Sequence, residues 1–130
     1  MTDMELVAAA KKAAENSYSP YSHFTVGAAL ECGNGSVYTG CNIENAAYGS
    51  TICAERTAMC KAISEGERSF SRIAIWGCGK DFCWPCGACR QFLAEFGDMT
   101  VLTARCDGEY ISKPLSELLP FAFDAGNMDD

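Results

Sequence analysis

The stretch FCWPCGACR, residues 82–90, places Cys83, Cys86 and Cys89 at intervals of three residues, with Pro85 among them. Cysteines spaced in this way can form disulfides, close a structural metal site or contribute to a catalytic one. The chain contains nine cysteines, an odd number, and its N-terminal MTDMEL lacks the basic and then apolar layout of a signal peptide. We therefore expect a cytoplasmic protein with reduced thiols, some of them bound to a metal.

The composition limits the function classes that this chain can serve. A length of 130 residues, 48% hydrophobic and 21% charged, is typical of one soluble domain, expected over residues 1–130. Seventeen acidic residues oppose ten basic ones, and the net charge is −7. Because a polynucleotide partner needs a basic surface, we expect none, and no apolar run approaches the ~18 residues of a membrane span. A ligand derived from nucleic acid should be small and nearly uncharged.

The hydrophobic pattern predicts the element order α-β-β-α-β-α-β-β-α. A capping box of Thr2 and Glu5 starts the first helix, and Ser50 and Thr51 are candidate N-caps of the second. Right-handed crossovers would place both central helices on one face of a mixed sheet. The predicted helices cover residues 2–16, 53–65, 86–96 and 114–119, and the predicted strands cover 24–32, 36–44, 72–77, 99–104 and 109–112.

Both central helices are expected to begin at cysteines. Cys53 starts one helix, and Cys86 and Cys89 lie in the first turn of the other, where the positive end of the helix favours thiolate. Two adjacent helix starts that face the same way would bring three thiolates around one ion, which indicates zinc. A structural site needs a fourth protein ligand, which Cys78 or Cys83 could supply. The spacing alone therefore leaves a structural and a catalytic site open.

Glu55 favours the catalytic alternative. It follows Cys53 by two residues in CAERTA (53–58), near the start of the same helix. From there a carboxylate can reach a water on the zinc and move its protons without occupying the coordination shell. Taken by itself, an acidic residue in a first turn interacts with the helix dipole. Arg56 can hydrogen-bond the ligand sulfurs and offset the negative charge of three thiolates.

Four segments together resemble the zinc-dependent cytidine deaminases, in particular their small homotetrameric branch. They are YSPYSHFTVGAAL (18–30), NIENAAYGSTICAERTA (42–58), PCGACRQ (85–91) and LLPFAF (118–123). The resemblance implies a three-layer α/β/α fold, with a mixed five-stranded sheet and helices on both faces, and one zinc ion per subunit. The implied reaction is hydrolysis of cytidine or 2′-deoxycytidine to uridine or 2′-deoxyuridine with release of ammonia, in pyrimidine salvage.

The resemblance also implies a role for each site residue. The zinc ligands would be Cys53, Cys86 and Cys89, the proton shuttle would be Glu55, and Arg56 would lie beside the thiolates. Phe24 would pack against the pyrimidine, and Asn42 and Glu44 would hold the ribose hydroxyls. Ala54 would also bind the substrate. Tyr48 and Phe123 would be contributed across subunit boundaries, in a homotetramer whose active sites are shared between subunits.

Some features depart from the family pattern or remain outside it. Cys78, Cys83 and Trp84 in GCGKDFCWPC (77–86) depart from it, and we interpret the regular spacing of Cys83 as coincidental. The only histidine, His23, is expected to be a loop residue. The remaining cysteines, at positions 32, 41, 60 and 106, are expected to be small buried residues.

Two alternative functions stay open at this point. The chain could deaminate another small aminopyrimidine, such as a nucleoside antibiotic or a free base, although NIEN (42–45) favours a substrate that carries ribose. It could also be a non-catalytic module stabilised by zinc. A polynucleotide editor is disfavoured by the acidic charge and the short chain.

Overall fold

A computed structural model of the protein, which describes residues 1–128, contains the strands β1 (Val26–Cys32), β2 (Val37–Cys41), β3 (Phe70–Gly77), β4 (Thr100–Ala104) and β5 (Tyr110–Pro114). They form one five-stranded sheet in the order β2-β1-β3-β4-β5. β1 pairs antiparallel with both β2 and β3, β3 and β4 are parallel, and β5 is antiparallel to β4. The sheet is therefore mixed, as predicted. Asp129 and Asp130 of the expected 1–130 domain lie outside the described residues.

The four α-helices occur where the sequence predicted them, with shorter bounds. The capping box is present: the Glu5 amide donates to Thr2 Oγ1 at 3.1 Å, and the Thr2 amide donates to Glu5 Oε1 at 3.0 Å. None of the helices within residues 1–128 is long and apolar enough to cross a bilayer. The helices are α1 (Asp3–Ala13), α2 (Ala54–Ser64), α3 (Gly87–Ala94) and α4 (Leu115–Leu118).

The predicted N-caps of α2, Ser50 and Thr51, are wrong, because the N-cap is Cys53 in an extended conformation. The cause is tertiary. Ile52 exchanges both backbone hydrogen bonds with Ile43, each 2.9 Å long, and this bridge keeps the chain extended up to Cys53. The helix consequently begins one residue after a cysteine, so that the cysteine side chain projects beyond the helix end.

The core consists of two layers of side chains, one on each face of the sheet. Along β3, Ile73 and Ile75 pack on the α2 and α3 side, whereas Ala74 and Trp76 pack on the α1 side. This alternation follows from the two-residue period of a strand that is buried on both faces. The predicted three-layer α/β/α fold, with both central helices on one face, is confirmed.

Two glycines let the helices lie directly against the sheet. A Cβ on Gly27 would lie 1.9 Å from the Ala10 carbonyl oxygen of α1. A Cβ on Gly40 would lie 2.5 Å from the Ala58 nitrogen and 2.6 Å from the Ala54 oxygen, both in α2. The backbone of α2, and with it the position of its N-terminus, is therefore set by direct contact with β2.

The cysteines that were expected to be small buried residues divide by location. Cys32 in β1 is buried and Cys41 in β2 is partly buried, but Cys60 and Cys106 are exposed. The prediction is wrong for the last two. Cys60 lies on the face of α2 turned away from the sheet, and Cys106 lies between β4 and β5.

Candidate active site

Three cysteine side chains meet where the N-termini of α2 and α3 come together. Cys53 and Cys86 are the N-caps of the two helices, and Cys89 lies in the first turn of α3. The Cys53 and Cys86 sulfurs are 3.8 Å apart, those of Cys86 and Cys89 are 3.3 Å apart, and all three sulfurs lie within 4.8 Å of one another. Sulfurs that share a tetrahedral zinc ion at a Zn–S distance of about 2.3 Å are separated by about 3.8 Å. The donor type and spacing therefore fit zinc.

The charges on these thiols also favour a divalent cation. The pKa of Cys53 is lowered to about 5, because the Cys89 thiol and the Arg56 guanidinium donate hydrogen bonds to its sulfur. The pKa of Cys89 is raised, because its proton is held in the hydrogen bond to Cys53 and its sulfur is buried. Without a cation, the cluster readily loses the proton of one thiol, and the resulting negative charge opposes the loss of a second proton. A dication offsets that repulsion and lets all three sulfurs bind as thiolates.

Arg56 makes the contact that the sequence indicated. Its Nη2 lies 3.5 Å from Cys53 Sγ and 3.4 Å from the Thr51 carbonyl oxygen. The pKa of Arg56 is raised, chiefly by its hydrogen bond to Cys53. The guanidinium thus remains charged beside a ligand sulfur, where it reduces the net negative charge of the cluster.

Glu55 is the second residue of α2 and is only 4% exposed. Burial raises the pKa of its carboxyl to about 7, and the negative charge of Cys53 acts in the same direction. A carboxyl group with this pKa is partly protonated at neutral pH, so it can both take and give a proton. Its chemistry matches the proton-shuttle role implied by the resemblance.

A cleft of about 220 Å³ opens onto this cluster. It combines one wall from the start of α2 with one from the segment before β1 and one from the loop before α3. The cleft is lined by Phe24, Val26, Asn42, Thr51, Cys53, Ala54, Glu55, Cys83, Trp84 and Cys86. It thereby brings together six of the residues that the sequence assigned to the site.

The ring of Phe24 is held against backbone at one side of this cleft. A Cβ on Gly77 would lie 3.1 Å from Phe24 Cζ, and a Cβ on Gly79 would lie 3.1 Å from Phe24 Cε2. The ring is 40% exposed. Because glycine lets the ring approach the backbone closely, one aromatic face remains available to a planar ligand.

Asn42 is buried, and its side-chain amide is almost fully hydrogen-bonded. Its Oδ1 accepts from the Val26 amide at 3.1 Å and from the Ser17 hydroxyl, and its Nδ2 donates to the Phe24 carbonyl at 2.8 Å. An amide side chain offers two acceptor sites and two donor hydrogens. Among residues 1–128 only the Phe24 carbonyl accepts from this amide, so one N–H of Asn42 remains available to a ligand.

Glu44 lies in a second cleft of about 320 Å³, which Thr51 joins to the first because it lines both. Glu44 Oε1 accepts from the Tyr21 and Ser22 amides at 3.0 and 3.1 Å, and Oε2 accepts from the Ser22 hydroxyl. These hydrogen bonds, with that of the Ser22 hydroxyl foremost, lower the pKa of Glu44. The carboxylate stays ionised, and within the described part of the chain Oε2 accepts only from Ser22, which leaves one acceptor site for a ligand.

The remaining two expected substrate residues lie at the surface of this subunit. Tyr48 lines the second cleft, contacts Tyr21 edge to face and is 76% exposed. Phe123 is 60% exposed and lies beside α3, where its carbonyl accepts a hydrogen bond from Gln91 at 2.8 Å. Its ring does not line the cleft above the cysteines.

Sequence reasoning missed several residues of the cleft. Cys83 and Trp84 line it, although the sequence analysis considered Cys83 only as a possible fourth metal ligand and otherwise treated both residues as departures from a family pattern. Burial raises the pKa of Cys83 to about 12, so its sulfur is a protonated thiol. Within residues 1–128, the cluster that could bind a metal consists of Cys53, Cys86 and Cys89 and does not include Cys83. The available sequence signal for Cys83 and Trp84 was their position immediately before Pro85 and the zinc-ligand segment.

Comparison with known proteins gives a family match that includes the three clustered cysteines. The family model described as "Cytidine and deoxycytidylate deaminase zinc-binding region" matches residues 1–105. A cytidine deaminase from Sporosarcina psychrophila is 50% identical over 121 residues, which are 92% of this chain and 89% of that protein. One from Halalkalibacterium halodurans is 50% identical over 127 residues, 96% of each chain.

Solved structures agree with the sequence relatives. The crystal structure of cytidine deaminase from Burkholderia pseudomallei has a TM-score of 0.91 at 45% identity and covers 95% of this chain and 100% of that one. The cytidine deaminase from Mycobacterium tuberculosis has a TM-score of 0.80 at 35% identity, with 95% and 98% covered. The likeness therefore extends over nearly the whole chain.

Proposed function

Because this chain belongs to the family of cytidine and deoxycytidylate deaminases, we propose that its own residues perform the hydrolytic deamination of nucleosides at the Cys53–Cys86–Cys89 cluster. The enzyme converts cytidine and 2′-deoxycytidine to uridine and 2′-deoxyuridine and releases ammonia, a step of pyrimidine salvage. Its cofactor is one zinc ion per subunit. The observation that carries the proposal is a buried carboxyl group, Glu55, beside three clustered thiols at the end of a cleft.

Glu55 moves the protons of the reaction. A zinc ion held by Cys53, Cys86 and Cys89 would supply the Lewis acidity that makes a water molecule acidic near neutral pH. The Glu55 carboxylate would take one proton from that water and pass it to N3 of the pyrimidine as the water oxygen bonds to C4. It would then take the remaining proton from the new C4 hydroxyl and pass it to the amino group, so that the C4–N bond breaks, ammonia leaves and the C4 carbonyl of uridine forms. The carboxyl group therefore alternates between its ionised and its protonated form, and burial, which raises its pKa, makes the protonated form accessible. Arg56 donates a hydrogen bond to the Cys53 sulfur and thereby favours its ionised form.

Asn42 and Glu44 bind the sugar. We infer that the remaining N–H of Asn42 and the remaining acceptor site of Glu44 Oε2 bind the same hydroxyl group, which would accept from the amide and donate to the carboxylate. Cytidine and 2′-deoxycytidine share the 3′- and 5′-hydroxyls. The 3′-hydroxyl is fixed on the ring, whereas the 5′-hydroxyl rotates on an exocyclic carbon, so we assign the 3′-hydroxyl to this pair. Phe24 and Ala54 then border the base.

The active subunit is proposed to work within a homotetramer. Tyr48 and Phe123 are large aromatic residues with exposed rings, and the neighbouring Phe121 is fully exposed with a positive φ of 53°. Exposed aromatic surface of this kind is typical of subunit interfaces. We propose that Tyr48 and Phe123 reach the sites of neighbouring subunits. A single deaminase domain over residues 1–130 and a cytoplasmic location, which keeps the thiols reduced, complete the proposal.

The test replaces Glu55 by glutamine, which preserves size and removes the acid. We expect one zinc per chain, unchanged circular dichroism and a loss of kcat by at least about a hundredfold, measured from the ultraviolet absorbance change of cytidine. Cys86→Ala should release zinc, and Cys83→Ala is the matched cysteine control that should retain it. Wild-type turnover by Glu55→Gln refutes the mechanism. Equal zinc loss by both cysteine variants indicates a closed structural site.

A further inference from the structure

Ser22 connects two parts of the proposed substrate site. Its hydroxyl donates to Glu44 Oε2 and accepts the hydrogen bond of the Phe24 amide, whose nitrogen lies 3.0 Å from Ser22 Oγ. We propose that Ser22 is a positioning residue that orients the Glu44 carboxylate for the sugar hydroxyl, with the Phe24 backbone as its anchor. The inference rests on the proposed role of Glu44 in binding the sugar.

The directions of these two hydrogen bonds determine which group receives the hydroxyl hydrogen of Ser22. A hydroxyl group has one donor hydrogen. The Phe24 amide can only donate to Ser22 Oγ, so the hydroxyl hydrogen is left for Glu44. Glu44 Oε2 therefore lies in one rotational position, with its remaining acceptor site fixed relative to Asn42. Without the hydroxyl, the Tyr21 and Ser22 amides would still hold Oε1, but Oε2 would lose its own partner.

The backbone around Ser22 is in an unfavourable conformation that these contacts stabilise. His23, between Ser22 and Phe24, has a φ of 59°, in the left-handed region that residues other than glycine seldom adopt. The turn is closed by the His23 amide, which donates to the Ser19 carbonyl at 2.9 Å. This conformation turns the Phe24 amide back toward Ser22 Oγ. A strained turn held by several hydrogen bonds is a common means of fixing residues at a binding site.

Glu44 is also fixed at its own backbone, so that the side chain is the part left to orient. The Glu44 amide donates to the Tyr18 carbonyl at 2.8 Å, and Tyr18 forms a bridge with Ile43. The main chain of residues 43 and 44 is thus attached to the same loop that carries Ser22. Removing one hydroxyl should change the direction of the carboxylate without moving its Cα.

The experiment compares two substrates that differ by one hydroxyl, 2′-deoxycytidine and 2′,3′-dideoxycytidine. For Ser22→Ala we expect the KM for 2′-deoxycytidine to rise about fivefold to tenfold with kcat within about twofold, since one hydrogen bond to a charged group is lost. The KM for 2′,3′-dideoxycytidine should change less than about twofold. Ser22→Thr keeps the hydroxyl and should restore the wild-type KM. Ser36→Ala, in the turn at the other end of β1, is the matched serine control.

A double-mutant cycle provides a second measurement. In a Glu44→Gln background, the additional Ser22→Ala substitution should change the KM for 2′-deoxycytidine by less than about twofold, because the carboxylate that Ser22 orients is gone. An equal rise in KM for both substrates, full additivity in the cycle or an unchanged KM in Ser22→Ala overturns the proposal. If wild-type enzyme does not distinguish the two substrates, the assignment of Glu44 to the 3′-hydroxyl fails instead. The proton-shuttle proposal stands or falls separately, with Glu55→Gln.

Discussion

Replacing Gly40 with alanine should move the catalytic helix away from the sheet. The new Cβ would lie 2.5 Å from the Ala58 nitrogen, whereas ordinary contacts begin at 3.4 Å, so α2 must retreat by about 0.9 Å. The two nearest contacts, with the Ala58 nitrogen and with the Ala54 oxygen at 2.6 Å, are with backbone atoms, so no side-chain rotation can relieve them. Because α2 carries Glu55 and follows Cys53, its retreat changes the distance of both from α3. A displacement of about 1 Å in a catalytic group lowers the rate about a hundredfold.

Gly27→Ala is the matched control, because it creates the same kind of clash on the other face of the sheet. Its Cβ would lie 1.9 Å from the Ala10 oxygen, so α1 must move, and α1 carries none of the proposed site residues. Both variants should lose about 1–3 kcal/mol of unfolding free energy through overpacking, and their Tm should fall by roughly 5–10 °C. At 25 °C, below both transitions, only Gly40→Ala should show the hundredfold loss of kcat/KM.

The assay combines cytidine turnover at 25 °C with thermal denaturation and zinc content at a fixed protein concentration. Gly27→Ala should keep kcat/KM within about threefold of wild type. A Gly40→Ala variant with lowered Tm but wild-type kcat/KM would contradict the argument. Equal losses of activity in the two variants would also contradict it, because they would trace the loss to stability and not to displacement of α2.

Two further predictions concern the cleft and the α1 face. Trp84 lines the cleft and is 41% exposed, while Trp76 is 8% exposed on the opposite side of the sheet, so nucleoside binding should change tryptophan fluorescence and Trp84→Phe should abolish the change. The Arg72 guanidinium lowers the pKa of Glu31 from 4.5 to about 2, so this pair stabilises the fold above about pH 4.5, and the contribution is lost as the pH falls toward 2. Glu31→Gln should cost about 2 kcal/mol at pH 7, a value reduced for partial solvation, and urea denaturation should show its difference from wild type shrinking between pH 5 and pH 3. A constant difference across that range would exclude this ion pair as the cause.

The parts of the structure that follow from local pattern could be predicted from sequence. The alternation of Ile73, Ala74 and Ile75 indicates a strand buried on both faces, and Cys53, Cys86 and Cys89 gave the three-thiol cluster with its nearby carboxyl. These features depend on residues close together in the chain, or on helix starts whose direction a right-handed crossover fixes.

The rest depended on contacts between distant segments. Ser50 and Thr51 were good N-cap residues locally, but the Ile43–Ile52 bridge delayed the helix to Cys53. Hydrophobic periodicity does not predict the hydrogen bonds between Ser22 and Glu44, because these residues meet only in the folded protein. The same holds for the position of Cys83 and Trp84 in the cleft. Cysteine as a residue type favours burial, yet burial is decided by the face of the element.

The cysteine cluster also links α2 to α3, two helices from different parts of the chain. Cys53 and Cys86 are 33 residues apart and belong to successive β-α-β crossovers, so the complete ligand set arises only after both helices have docked on the same face. A bound ion closes that loop and stabilises the folded state in proportion to the logarithm of its free concentration. The affinity for zinc therefore depends on how closely α2 and α3 pack against the sheet. Substitutions far from the cleft that loosen either helix should reveal themselves first as lost metal, before the protein unfolds.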